Sequence, residues 1–137
     1  MTSKSILLDT SAVIALLDIG DAYHKAIEPY WQEHLLLPMT LLAEVDYMVS
    51  KYLGAHVARA FFSGIENGDL ELIGFDTTDF ARANAIMKKY PSVPLGVADA
   101  SVMALADRYK IQRILTLDRR HFSLVKPSNM DYFELLP

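Results

Sequence analysis

Cysteine is absent from the 137 residues, which excludes disulfides and thiolate metal sites and leaves oxygen or imidazole to hold any metal. A cysteine-free chain fits a reducing cytosol. Long apolar runs are missing as well: none approaches the ~20 residues that cross a bilayer, and the opening Met-Thr-Ser-Lys-Ser-Ile-Leu-Leu-Asp lacks the apolar stretch of a secretory signal. The expectation is a soluble, cytoplasmic protein. Glycine and proline are sparse, six of each, and no repeat, linker or low-complexity segment occurs, so fibrous and disordered classes are excluded. There is no surplus of positive charge either. The formal net charge of −4, from 13 basic and 17 acidic residues, argues against an indiscriminate nucleic-acid coat protein.

What is present is a globular composition, 52% hydrophobic and 22% charged, at a length that buries one core. A single domain over 1–137 is expected. The mean charge hides a split. Between Arg108 and Lys126 stand six basic residues and one acid, Asp118, a local +5, while the remainder carries seven basic and sixteen acidic residues. An acidic centre with a basic flank is the arrangement this pattern allows.

Ser5–Leu8 reads as a buried strand running into a helix cap at Asp9-Thr10-Ser11, with helix from Ala12 to Leu17. Further helices are predicted from about Ala22 to Glu33, from a Thr40 cap to Gly54 with Leu41, Val45, Met48, Val49 and Tyr52 on one face, and on to about Ile65. Two more are predicted at Thr78–Tyr90 and Leu95–Tyr109, and strands at Leu35–Pro38, Leu70–Phe75 and Arg113–Thr116. Short apolar strands alternating with longer helices predict a three-layer α/β/α domain with a mainly parallel central sheet.

In such sheets function lies beyond the C-terminal ends of the strands, where Asp9 and Asp118 both fall. Each also suits a helix N-cap, so neither is informative alone. Asp99 is more telling, because its helical neighbours are Leu95, Val102, Met103 and Ala106, and a carboxylate in an apolar stripe is not a solvated-face residue. Glu44 and Asp46 flank another apolar face, and periodicity does not choose between them. Acids gathered at one crevice would repel one another unless they shared a cation. Oxygen-only ligation points to Mg²⁺ or Mn²⁺. His24, His34 and His56 lie in polar contexts without an H-E-x-x-H motif and read as surface residues.

Leu8-Asp9-Thr10-Ser11-Ala12, Leu42-Ala43-Glu44-Val45, Val97-Ala98-Asp99-Ala100-Ser101 and Leu115-Thr116-Leu117-Asp118-Arg119-Arg120-His121-Phe122, in that order, resemble the PIN-domain family, and most of all its VapC-type toxin branch. The resemblance extends to the closing Phe133–Pro137. It implies a PIN-like α/β/α metal-dependent endoribonuclease, the toxin of a toxin–antitoxin pair, usually a homodimer and held in check by a cognate antitoxin. It further implies that Asp9, Glu44, Asp99 and Asp118 are the catalytic, metal-binding acids, which favours Glu44 over Asp46, and that Ser11 and Thr116 support them. Where relatives often carry a further acid, this chain has His121. The implied chemistry is in-line hydrolysis of an RNA phosphodiester, leaving a 5′-phosphate and a 3′-hydroxyl, with Arg119 and Arg120 placed to hold neighbouring phosphates.

Three rival readings fit less well. A phosphoacceptor receiver domain needs an acidic pair after the first strand, and Asp9 is followed by Thr10-Ser11; a dehalogenase-type phosphatase wants an acid at position 11, which is serine. A PIN-like module that only binds would not need all four acids.

Overall fold

The computed structural model describes residues 4–137, so Met1–Ser3 of the N-terminal reading lie outside the described residues. Five strands, β1 (Ile6–Leu8), β2 (Leu35–Pro38), β3 (Glu71–Ile73), β4 (Arg113–Leu115) and β5 (Glu134–Leu136), form one sheet in the order β3-β2-β1-β4-β5. Every pairing is parallel, with Ile6 opposite both Leu35 and Arg113. The central strands are buried on both faces, which is why they read as continuous apolar runs and not as alternating ones.

Seven helices connect the strands: α1 (Thr10–Leu17), α2 (His24–Ile27), α3 (Leu42–Leu53), α4 (Ala55–Glu66), α5 (Thr77–Lys89), α6 (Val97–Tyr109) and α7 (Arg119–Leu124). The chain steps from β1 to β2 to β3, then returns past β1 to β4 and β5. Right-handed crossovers place α1–α4 on one face and α5–α7 on the other, and the packing agrees: α1 meets α2 and α3, α3 meets α4, while α6 meets α5 and α7. The direction of winding reverses between β1 and β4. That switch point is where parallel sheets open a crevice at their C-terminal edge.

Four expectations are corrected. The helix expected from Ala22 to Glu33 is only α2 followed by a 3₁₀ turn at Glu28–Gln32, because Pro29 brings no N–H and cannot extend an α-helix. Thr40 does not cap α3: the chain passes through a 3₁₀ turn at Met39–Leu41, and the Thr40 hydroxyl instead meets Ser101 Oγ at 2.6 Å. Tyr52 is 60% exposed and leaves the apolar face of α3, whereas Leu41, Val45 and Val49 are buried. β5 is an additional strand. It is a short edge strand whose Glu134 is exposed, too brief to show a period of two.

The α5–α6 pair is held by Asp79, fully buried, whose Oδ2 accepts from Arg108 at 2.7 Å and from the Asp76 N–H at 2.9 Å. Asp76 in turn caps α5 by accepting from the Asp79 N–H, a reciprocal capping box.

Candidate functional site

Asp9 ends β1 and occupies the N-cap position of α1, yet its side chain makes no capping bond. Its Oδ2 accepts from the Thr116 hydroxyl at 2.8 Å and from the Ser11 hydroxyl at 3.1 Å. The hydroxyls are themselves fixed by the β4–α7 turn, Ser11 Oγ accepting from the Leu117 N–H at 2.9 Å and Thr116 Oγ1 from the Asp118 N–H at 3.0 Å. The Asp9 N–H donates to Leu115 O at 3.1 Å, joining the ends of the two strands. Asp9 is 6% exposed, and among the described residues no Lys, Arg or His forms an ion pair with its carboxylate. Burial, followed by the nearby charge of Asp99, raises its pKa against the pull of these hydrogen bonds.

Asp99 lies in the first turn of α6, partly buried. Burial raises its pKa; Asp118 and Glu44 push the same way, and the hydrogen bond and charge of His121 oppose them. Asp9, Glu44 and Asp118, from three other segments, thus each lie near enough to Asp99 for charge to act between them and it. Glu44 in the first turn of α3 and Asp118 at the N-cap of α7 are exposed. Asp46 takes no part. Its carboxylate accepts from Ser50 one turn along α3 and borders a different groove.

The Thr40–Ser101 contact, with Ser101 Oγ also donating to Ala98 O at 2.7 Å, ties the approach to α3 to the start of α6. It holds the helices bearing Glu44 and Asp99 beside each other. Nothing in the periodicity of either helix pointed to that pair, because it bridges positions 61 residues apart.

His121 is the larger surprise. It sits in α7 with its side chain 12% exposed, and its Nδ1 lies 3.0 Å from Asp99 Oδ2. The carboxylate accepts, so the proton is on Nδ1; Nε2 is buried without a hydrogen-bond partner among the described residues. The structure thus turns an imidazole onto one of the four acids. His24 is also not the surface residue expected: it is 13% exposed and bonded through Nδ1 to Ala15 O at 2.7 Å. His34 does lie near the surface, between Ser5 and Glu71.

The two arginines differ. Arg119 is tethered, its guanidinium donating to Leu135 O at 2.6 Å and more weakly to Pro137 O at 3.4 Å, which fastens β5 to the start of α7. Arg120 is exposed, and its side chain has no partner among the described residues.

A divalent cation fits this chemistry. The four acids offer carboxylate oxygens, with the His121 imidazole the one nitrogen group bonded to them, and repulsion among the carboxylates is relieved by positive charge. Among the described residues no three His, Asp or Glu side chains are gathered into a ligating cluster.

The PIN domain model matches residues 6–126. The chain is 33% identical to Ribonuclease VapC26 of Mycobacterium tuberculosis over 135 residues, which is 96% of this chain and 100% of that protein. Among solved structures it is similar to Mycobacterium tuberculosis VapC20, a sarcin-ricin loop cleaving toxin, with a TM-score of 0.79 at 17% identity over 92% of this chain and 98% of that one. It is also similar to DNA-bound VapBC from Salmonella typhimurium, with a TM-score of 0.70 at 18% identity over 96% of this chain and 97% of that one. At such identities the structural likenesses speak for the fold.

Proposed function

This chain belongs to the PIN-domain family, and from that premise we propose that the acidic edge formed by Asp9, Glu44, Asp99 and Asp118 is the active site of its RNA-cleaving activity, with Mg²⁺ or Mn²⁺ as cofactor. It is an endoribonuclease of the toxin type. The observation that supports this placing of the site is the state of Asp9. A buried helix-start aspartate whose carboxylate does not cap its helix and is instead oriented by two hydroxyls from separate segments suits a metal ligand.

Asp9 and Asp99 would hold the ion from the more buried side, and Glu44 and Asp118 from the exposed side. When bound, a divalent ion lowers the pKa of a water and offsets the charge that builds on the attacked phosphate. Ser11 and Thr116 hold the Asp9 carboxylate in one orientation. Attack in line on the phosphorus breaks its bond to the 3′ oxygen, leaving a 3′-hydroxyl and a 5′-phosphate. Arg120, unengaged beside Asp118, contacts a neighbouring phosphate; the tether of Arg119 gives it a structural role first.

The test is digestion of total tRNA and ribosomal RNA in Mg²⁺ or Mn²⁺ with and without chelator. Cleavage that survives chelation overturns the metal mechanism.

His121 positions Asp99 for the ion. His121→Ala is expected to weaken Mn²⁺ binding, followed by electron paramagnetic resonance, by about 10- to 100-fold, the usual effect of losing a partner behind a metal ligand. His121→Asn, which keeps a donor, restores part of it.

The cognate antitoxin supplies the restraint a nuclease needs. Leu42, Ala43, Phe62, Ile65 and Leu72 line an apolar groove of about 510 Å³ between α3 and α4, with Asp46 and Glu66 on its walls and Glu44 one residue beyond Ala43. An antitoxin segment with apolar anchors and a basic residue is complementary to it, the basic group reaching the acidic edge. Phe62→Glu is expected to weaken the complex at least tenfold by titration calorimetry; unchanged affinity moves the partner elsewhere. A homodimer and a cytoplasmic location complete the reading, in keeping with the family and with no helix among the described residues long and apolar enough to cross a membrane.

A further inference from the structure

The basic flank is only partly available to a ligand. Arg108 is engaged by Asp79 at 2.7 Å, Arg113 by Glu33 at 3.7 Å and by Lys4 O at 3.1 Å, and Arg119 by carbonyls of the C-terminal strand. Lys126 is not engaged in this way. With Arg82 and Lys89 of α5 it lines a cavity of about 160 Å³ whose other wall is Ala104 and Asp107 of α6. None of these three cations is in an ion pair among the described residues. The Lys89 ammonium lies over the Tyr90 ring, 5.7 Å from its centroid.

Asp107 is the one acid in the lining, and its carboxylate is turned to the backbone: it accepts from the Ser128 N–H at 2.9 Å and from the Asn129 N–H at 2.9 Å. The Lys126 N–H donates to the Tyr90 hydroxyl at 3.1 Å. The loop after α7 is thus pinned to α5 and α6, and the cavity keeps its shape with positive charge in excess. Three cations against one engaged carboxylate in a concave site repel one another until an anion enters.

We propose that this cavity is a second contact for the RNA strand, taking one backbone phosphate away from the acidic edge. The proposal rests on the ribonuclease reading above for the identity of the anion. Its placement suits that role. Ala104 and Asp107 lie five and eight residues beyond Asp99 on α6, hence about 8 to 12 Å along the helix axis at 1.5 Å per residue. A stacked strand advances about 3.4 Å per nucleotide, so the cavity meets a phosphate about two to four nucleotides from the scissile one. An acidic site that repels its own substrate gains an anchor there.

The experiment compares the full-length wild type with Arg82→Gln/Lys89→Gln/Lys126→Gln, and with a control removing three exposed cations on α2, α3 and α4 (Lys25→Gln/Lys51→Gln/Arg59→Gln). All three exchanged side chains of the cavity are exposed, and equal melting temperatures establish folding; Lys126→Gln alone serves if the triple variant does not fold. Binding of a 20-nucleotide and a 4-nucleotide RNA is measured against salt in chelator, where nothing is cut. The slope of log K against log salt for the long RNA is expected to be shallower by about 0.7 in the cavity variant, since the cavity takes one phosphate and each such contact contributes about that much. Affinity for the long RNA falls at least tenfold, and that for the short one is unchanged. An unaltered slope, or an equal loss in the control, overturns the proposal. So does tight saturable binding of inorganic phosphate that the variant loses while its RNA slope stays the same, which would make the cavity a site for free phosphate. Failure of the ribonuclease reading shows separately, as wild type that binds RNA in this way but cuts none in Mg²⁺.

Discussion

Asp9→Asn is expected to lower RNA cleavage by about three orders of magnitude or more without disturbing the fold. The substitution keeps the shape of a side chain that is 6% exposed, and the Thr116 and Ser11 hydroxyls that donate to its Oδ2 have an amide oxygen to donate to instead. What it removes is one full negative charge from the buried half of the proposed ion seat. Charge stabilisation by a bound cation contributes several kcal/mol at the transition state, and about 1.4 kcal/mol is a factor of ten in rate. Time courses on ribosomal RNA and tRNA in Mg²⁺, alongside circular dichroism of the variant, measure the effect. A variant that keeps a tenth of wild-type activity removes Asp9 from the site.

The same variant is expected to reverse its rank in stability when metal is added. In chelator Asp9→Asn unfolds at the higher temperature, by an amount of order 1 kcal/mol, the usual gain from relieving an unfavourable charge at a functional site. The pH dependence follows from burial and the charge of Asp99, which raise the Asp9 pKa above its ordinary 3.8. A carboxyl that holds its proton more tightly folded than unfolded contributes stability at low pH, and that contribution is lost as pH rises from the ordinary carboxylate range through the raised folded value. The advantage of the amide therefore grows from about pH 4 toward neutrality. With Mn²⁺ at a hundredfold excess over its Kd the wild type gains about 2.7 kcal/mol and the variant little, so the order inverts. Scans in chelator and in Mn²⁺ at two pH values check both halves. Wild type that is the more stable in chelator at neutral pH shows that Asp9 is a structural acid.

Asp99→Asn is the less clean probe, although Asp99 is the acid set most plainly into an apolar stripe by the sequence. Its Oδ2 is bonded to His121 at 3.0 Å, so the substitution weakens a charge-assisted bond while it removes a repulsion. The two effects oppose each other. Only the contact across α6 and α7 reveals this, because His121 follows Asp99 by 22 residues.

By itself the sequence determined the architecture and the places where chemistry could sit. Apolar runs at Ile6–Leu8, Leu35–Pro38 and Arg113–Leu115, separated by helical stretches, leave few alternatives to a parallel sheet wound in right-handed crossovers, and the acids at the strand ends follow from local order along the chain. Boundaries were legible where Pro, Gly or a cap interrupts a period, and illegible where a side chain found a distant partner in place of its local one. Thr40 left its expected cap for Ser101, Asp9 left its cap for Thr116, and Arg119 left solvent for the carbonyls of a strand too short to announce itself. The tertiary structure alone decided what His121 does and which cations of the basic flank stay free. Each of these depends on hydrogen bonds and charges acting over a few ångströms between residues far apart in the chain, and periodicity reports only neighbours within a turn or two.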